Sequence, residues 1–251
     1  MTKLLHLICV FGFLSGCASW LPAPVPMKAI EYPSSAAPAR CLMVFLPGLG
    51  DTGERFEQRG FVSDVHAQHM SIDMVATDAS LGYYAKGILT ERLFNDVVKP
   101  RARRGYEQVW LVGMSMGGLG TLLYSRQRPV GEVYGVLALS PYLGEQAISD
   151  EVRSAGGLHD WQAPAPVATM NASNYTSELW RWLQAVSAGR EPGPQLYVGY
   201  GLQERLAQVD MLLGDDLPSE RAFTVAGGHH WDTWQTLFVR FLSTDALAGC
   251  K

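Results

Sequence analysis

Between the apolar run "EQVWLVGM" and a stretch with Leu119, Leu122 and Leu123 at helical spacing stands Gly113-Met114-Ser115-Met116-Gly117. A serine at such a junction can act as a nucleophile once a base takes its proton. The flanking glycines have a physical reason. A strand that turns directly into a helix strains the backbone at the serine, and a Cβ on either side would strike the adjoining strand or helix. The hydroxyl then stands at a helix N-terminus, where developing negative charge is favoured. The base must come from a histidine. His66 and His69 form an H-x-x-H spacing without the glutamate of a zinc protease, so they read as an exposed helix face. His229 and His230 lie in "GGHHWDTW", directly after the strand-like run "RAFTVAGG". After another such run, "PQLYVGYG", come the carboxylates Glu204, Asp210, Asp215 and Asp216. A carboxylate held against an imidazole fixes its tautomer and stabilises the imidazolium.

These groups need a scaffold that brings strand ends together. The runs "CLMVFLPG", "SIDMVATD", "EQVWLVGMS", "VYGVLALSP", "PQLYVGYG" and "RAFTVAGG" read as buried strands. Helical patterns fall between them. Leu89, Leu93 and Val97 recur every fourth residue, and Pro100 is expected to stop that helix. Leu179, Trp182, Leu183 and Val186 keep a helical spacing, with Gly189 just beyond. Trp234, Leu237, Phe238, Phe241 and Leu242 make a last amphipathic helix, with Asp232 as its N-cap or in its first turn. The alternation predicts an α/β fold: a doubly wound, mainly parallel sheet covered on both faces. Such sheets place ligands at the carboxyl ends of their strands.

The strand, the Gly-x-Ser-x-Gly turn and the helix together resemble the nucleophile elbow of the α/β-hydrolases. In that family the order along the chain is nucleophile, acid, histidine, and Ser115, Glu204 and His229 follow it. "GGHHWDTW" resembles the Gly-Gly-His-x-Trp-x-x-Trp loop of bacterial esterases of this fold, which gives the base to His229 and leaves His230 at the variable position. Those esterases carry Gly-x-x-Asp after the preceding strand; here Gly201-Leu202-Gln203-Glu204 has Glu for Asp. His159 precedes that strand and is out of order. "PGLGDTG" after the first strand resembles the oxyanion loop of the carboxylesterase and acyl-protein thioesterase branch, with Pro47 where His is usual. The resemblance makes the backbone N–H groups of Leu49 and Met116 the oxyanion donors. It implies a compact α/β-hydrolase domain over 41–251 without a large lid. The segment from Pro141 to Pro194 is short for one. The implied activity is a serine esterase on a small-molecule ester or acyl substrate, without metal or cofactor. Two alternatives stay open: a thioesterase or acyltransferase, and a non-catalytic binding module on a hydrolase scaffold.

The first residues carry a different message. One lysine, an apolar run from Leu4 to Leu14, and then Leu14-Ser15-Gly16-Cys17 resemble the signal of bacterial lipoproteins. That assigns 1–16 to a signal peptide, Cys17 to lipidation, and the Pro- and Ala-rich 17–40 to a tether. It implies a lipid anchor at the periplasmic face of the outer membrane. An ordinary signal cut after Ala18 is the alternative. In that oxidising compartment Cys41 and Cys250 can form a disulfide or remain two free thiols. The net charge of -4 and the lack of a long basic stretch argue against a nucleic-acid partner.

Overall fold

The computed structural model describes residues 20–36 and 38–251. Cys17 and the signal segment 1–16 lie outside the described residues. In chain order the elements are β1 (Ala29–Tyr32), β2 (Cys41–Leu46), α1 (Glu54–Gln58), α2 (Phe61–Ala67), β3 (Ile72–Thr77), α3 (Leu81–Ala85), α4 (Leu89–Arg92), β4 (Gln108–Met114), α5 (Met116–Gln127), β5 (Gly135–Leu139), α6 (Gln146–Ser154), α7 (Tyr175–Ser187), β6 (Gln195–Gly201), α8 (Ala207–Gly214), β7 (Ala222–Val225) and α9 (Trp231–Leu242). The seven strands form one sheet in the order β1-β3-β2-β4-β5-β6-β7. β1 pairs antiparallel with β3, and every other pair is parallel.

Alternation along each strand feeds two cores. Leu42, Val44 and Leu46 of β2 face the layer of α5 and α7, with Leu122, Leu179 and Trp180. Met43 and Phe45 face the opposite layer, with Phe56, Phe61, Phe238 and Phe241. Phe45 stacks on Phe56 at 4.7 Å and Phe61 stacks on Phe238 at 4.6 Å. Both faces are therefore sealed, and polar chemistry is left to the strand ends.

Two local expectations need correction. The stretch assigned to a tether, 17–40, is part of the fold over much of its length. β1 closes the β3 edge within it, Met27 is buried, and Met27 N–H donates to Asp96 at 2.8 Å. Its Pro- and Ser-rich composition hides a four-residue strand too short to show alternation, and an edge strand tolerates flanking prolines. Pro100 does not end its helix either. After α4 the chain widens into a π-turn over Leu93–Val98 and continues through Lys99–Arg101 and a 3-10 turn at Ala102–Arg104. The wider turn accommodates a ring that cannot donate to the preceding turn. Buried Arg101 takes up the Val97 carbonyl at 2.6 Å and pairs with Glu31 of β1 at 2.6 Å.

Cys41 begins β2 and Cys250 lies beyond α9, which runs back toward the amino end of the sheet. The structure joins them in a disulfide, with Cα atoms 5.6 Å apart.

Candidate active site

The site is assembled from loops that leave the carboxyl ends of β2, β4, β6 and β7. Ser115 stands between β4 and α5 with φ 54° and ψ -116°, a conformation costly for any residue with a side chain. The surroundings enforce it. A Cβ on Gly117 would come within 2.1 Å of the Leu46 carbonyl oxygen, and one on Gly113 within 2.2 Å of the Gly117 oxygen. Both obstacles are backbone and cannot swing away. Gly117→Ala should therefore displace the turn and lower ester turnover by about a hundredfold, since small misplacements of a nucleophile cost that much. Hydrolysis of p-nitrophenyl acetate by the variant, beside its melting temperature, checks this.

Ser115 Oγ lies 2.9 Å from His229 Nε2, and His229 Nδ1 lies 2.6 Å from Glu204 Oε2. With the imidazole proton on Nδ1, the ring donates to Glu204 and accepts from Ser115. Glu204 is buried, and its other oxygen accepts from Gly201 N–H at 3.1 Å. It does not pair with Arg181, which bonds Glu178 and Glu191 instead. The acid and histidine loops are tied together. Gln203 N–H donates to the Gly227 carbonyl at 2.9 Å, and Gly227 N–H donates back to the Gln203 side chain. Gly227 has φ 147°, which few side chains tolerate, and a Cβ there would also meet Thr233 Oγ1 at 2.3 Å.

His230 goes elsewhere. It is the exposed N-cap of α9, and among the described residues its ring reaches only Thr233, at 3.4 Å. Asp232 falls in the first turn of that helix and pairs with Arg59 at 3.6 Å. His159 lines a cleft of about 440 Å³ with Trp161 and Arg190, a wall that includes neither Ser115 nor His229. His66 bonds the Pro33 carbonyl at 3.0 Å. Among the other carboxylates, Asp216 accepts from Ser187 at 2.6 Å.

Asp210 is fully buried on α8, and neither of its oxygens has a hydrogen-bond partner among the described residues. Burial first, and then the charge of Glu204, push its carboxyl well above the ordinary value of 3.8. The folded chain thus retains a proton that the unfolded chain releases above that value. Stability should fall as pH rises from about 4 toward neutrality, and Asp210→Asn should flatten that part of the profile. Urea unfolding of both proteins at pH 4, 5.5 and 7 checks it.

Gly48 lies against the serine, since a Cβ on it would sit 3.6 Å from Ser115 Cβ. A turn follows, with Asp51 N–H donating to the Gly48 carbonyl at 3.2 Å. The N–H groups of Leu49, in this turn, and Met116, first residue of α5, donate to no other group among the described residues. Two neighbours escape a sequence reading because only the fold brings them close. Trp234 meets the His229 ring edge to face at 5.0 Å and is held by its own bond to Ser140 at 2.9 Å. Trp231 donates to Asp51 at 3.2 Å, which joins the histidine loop to the Gly48 turn. The two tryptophans of "GGHHWDTW" carried that signal without a partner to attach it to. Tyr84 of α3 donates to the Met116 carbonyl at 2.9 Å and braces the start of α5.

A mainly parallel seven-stranded sheet with a strained serine between β4 and α5 defines the α/β-hydrolase class. Solved structures share this fold. Est1E from Butyrivibrio proteoclasticus matches with a TM-score of 0.57 at 15% identity, over 88% of this chain and 95% of that one. The S-formylglutathione hydrolase FrmB from Staphylococcus aureus matches with a TM-score of 0.56 at 14% identity, over 86% and 94%. FphF, a fluorophosphonate-binding serine hydrolase of Staphylococcus aureus, matches with a TM-score of 0.55 at 15% identity, over 87% and 98%. No curated protein sequence matches. The chain belongs to the Esterase family, described as "Putative esterase", whose model matches residues 57–244. It is a carboxylic ester hydrolase.

Proposed function

We propose that the chain cleaves esters through a covalent acyl-enzyme on Ser115. The observation that supports this most is the unbroken contact from Ser115 Oγ through His229 to buried Glu204. Ser115 Oγ bonds to the substrate carbonyl carbon while His229 Nε2 takes the hydroxyl proton. Glu204 holds the ring and balances the imidazolium charge. The carbonyl oxygen becomes an oxyanion facing the N–H groups of Leu49 and Met116. Collapse breaks the ester C–O bond, and the alcohol leaves with the proton from His229. Water then gives its proton to His229 and attacks the acyl carbon, and collapse breaks the Ser115 Oγ–acyl bond, returns the proton from His229 to Ser115 Oγ and releases a carboxylic acid. Every proton is accounted for within Ser115, His229, the alcohol and water.

The lipoprotein-like start supports placing this enzyme on a lipid anchor at Cys17, at the periplasmic face of the outer membrane. Turnover of p-nitrophenyl esters of increasing acyl length, beside the matching acyl thioesters, tests the reading. Ester turnover with a preferred length supports it. Thioester turnover with no ester turnover would replace it with the thioesterase reading.

A further inference from the structure

The chain enters the fold beside its catalytic serine. Leu21 and Pro22 lie against Gly82 of α3 so closely that a Cβ there would meet the Pro22 oxygen at 2.1 Å. Ser80 donates to that same oxygen at 3.0 Å, and Tyr83 donates to the Pro24 carbonyl at 2.6 Å. The next residue, Tyr84, holds the carbonyl of Met116, which directly follows Ser115. α3 follows the carboxyl end of β3, the same end of the sheet that carries Ser115, Glu204 and His229. Lys28 extends the connection by pairing with Asp78 at 3.5 Å and Glu54 at 3.6 Å, while Asp78 accepts from Gly53 N–H at the end of the oxyanion loop.

Only four peptide steps separate Cys17 from Leu21. Fully extended they span at most about 14 Å. A lipid on Cys17 is therefore held close to the catalytic end of the molecule, and the opposite end of the sheet faces away. Several exposed apolar side chains share this end of the molecule, although Val130 and Tyr134, just before β5, are exposed at the other. Trp20 is 88% exposed, and tryptophan favours the membrane–water interface. Val25, Leu49 and Leu202 are also exposed. Leu49 and Leu202 stand in the loops after β2 and β6, on the rim around Ser115.

We infer that this enzyme works with its catalytic mouth turned toward the bilayer that anchors it, and that its substrates are acyl esters presented at that bilayer. The inference rests on the ester-hydrolase reading of Ser115 and on lipidation of Cys17. Short attachment supplies orientation as well as local concentration. Each turnover needs only the ester and water, by the route given above.

The test lengthens the attachment and changes nothing else. A flexible Gly/Ser segment of about twenty residues between Trp20 and Leu21 adds a mean reach of about 25 Å and releases the orientation. Wild-type and lengthened full-length proteins are reconstituted into vesicles of phosphatidylethanolamine and phosphatidylglycerol that carry a fluorogenic oleate ester. Both are also assayed on soluble p-nitrophenyl acetate. The expected result is a drop of about tenfold on the vesicle ester, with soluble turnover unchanged in both. Equal vesicle turnover by the two proteins would overturn the orientation. Wild-type protein whose mass shows no lipid on Cys17 would overturn its premise. Wild-type protein inactive on both esters would instead sink the hydrolase reading, so the failures are told apart.

Discussion

Ser115→Ala should reduce turnover of an activated ester by about ten-thousand-fold or more, and His229→Ala should match it. The two side chains act as one unit across a 2.9 Å contact, so the double variant should be no worse than either single one. His230→Ala is the informative control. It stands at the N-cap position of α9 with no cap bond from its exposed ring, and its polar contact among the described residues is Thr233 at 3.4 Å, so turnover should stay within about threefold of wild type. Glu204→Gln belongs with the large losses. An amide at 2.6 Å from Nδ1 supplies no charge and can impose the wrong tautomer, which costs about ten-thousand-fold where a triad acid is neutralised. Steady-state kinetics on p-nitrophenyl acetate, with circular dichroism to show that each variant folds, checks the set.

Breaking the Cys41–Cys250 bond should produce a large stability loss. The two residues are 209 positions apart, so the bond closes nearly the whole folded chain into one loop. The chain-entropy relation gives about 5 kcal/mol for a loop of that size. Retained denatured-state structure lowers the figure, and a loss of about 3 kcal/mol or more is expected for Cys41→Ser with Cys250→Ser. Both sulfurs are buried beside Gln108 Oε1, which lies 3.8 Å from Cys41 Sγ and 3.4 Å from Cys250 Sγ, so each serine hydroxyl keeps an acceptor close by. The bond fastens the amino end of the central strand β2 to the chain after α9. The catalytic loops lie at the other end of the sheet. The double variant should therefore lose melting temperature while its kcat at 25 °C stays near wild type. Calorimetry and kinetics on one preparation check both halves.

Much of this architecture could be read from local pattern because buried parallel strands are continuous apolar runs. "CLMVFLPG" and "EQVWLVGMS" become β2 and β4, the neighbouring strands that lead into the Gly48 turn and the strained turn at Ser115. Glycine carried information for the same reason. Gly113 and Gly117 are needed where backbone meets backbone, and no other residue type fits. β1 was not legible, since its four residues are held by long-range pairing with β3 and by Arg101 and Arg104 reaching Glu31. A proline-rich composition outweighed that weak local signal. The π-turn before Pro100 was hidden similarly, because it depends on Arg101 satisfying carbonyls that the ring leaves free.

Within the site, order along the chain left His229 beside His230 and Glu204 beside three aspartates, the resemblance to the Gly-Gly-His-x-Trp and Gly-x-x-Asp patterns favoured His229 and Glu204, and the fold brings these two into contact with Ser115. Neither order nor resemblance could supply their supports. Trp234 against His229, Ser140 behind Trp234, and Tyr84 beneath Met116 come from strands and helices far apart in sequence. Nor could spacing alone set Asp210 aside. Its helix turns it inward, with no hydrogen bond to histidine or to any other group among the described residues.

The most direct measurement is the position of a covalent adduct. Treating the folded protein with a fluorophosphonate and mapping the modified peptide by mass spectrometry reports which hydroxyl is activated. One adduct is expected, on Ser115, lost in Ser115→Ala and strongly slowed in His229→Ala. An unmodified wild-type protein, or an adduct that persists in Ser115→Ala, would contradict Ser115 as the nucleophile.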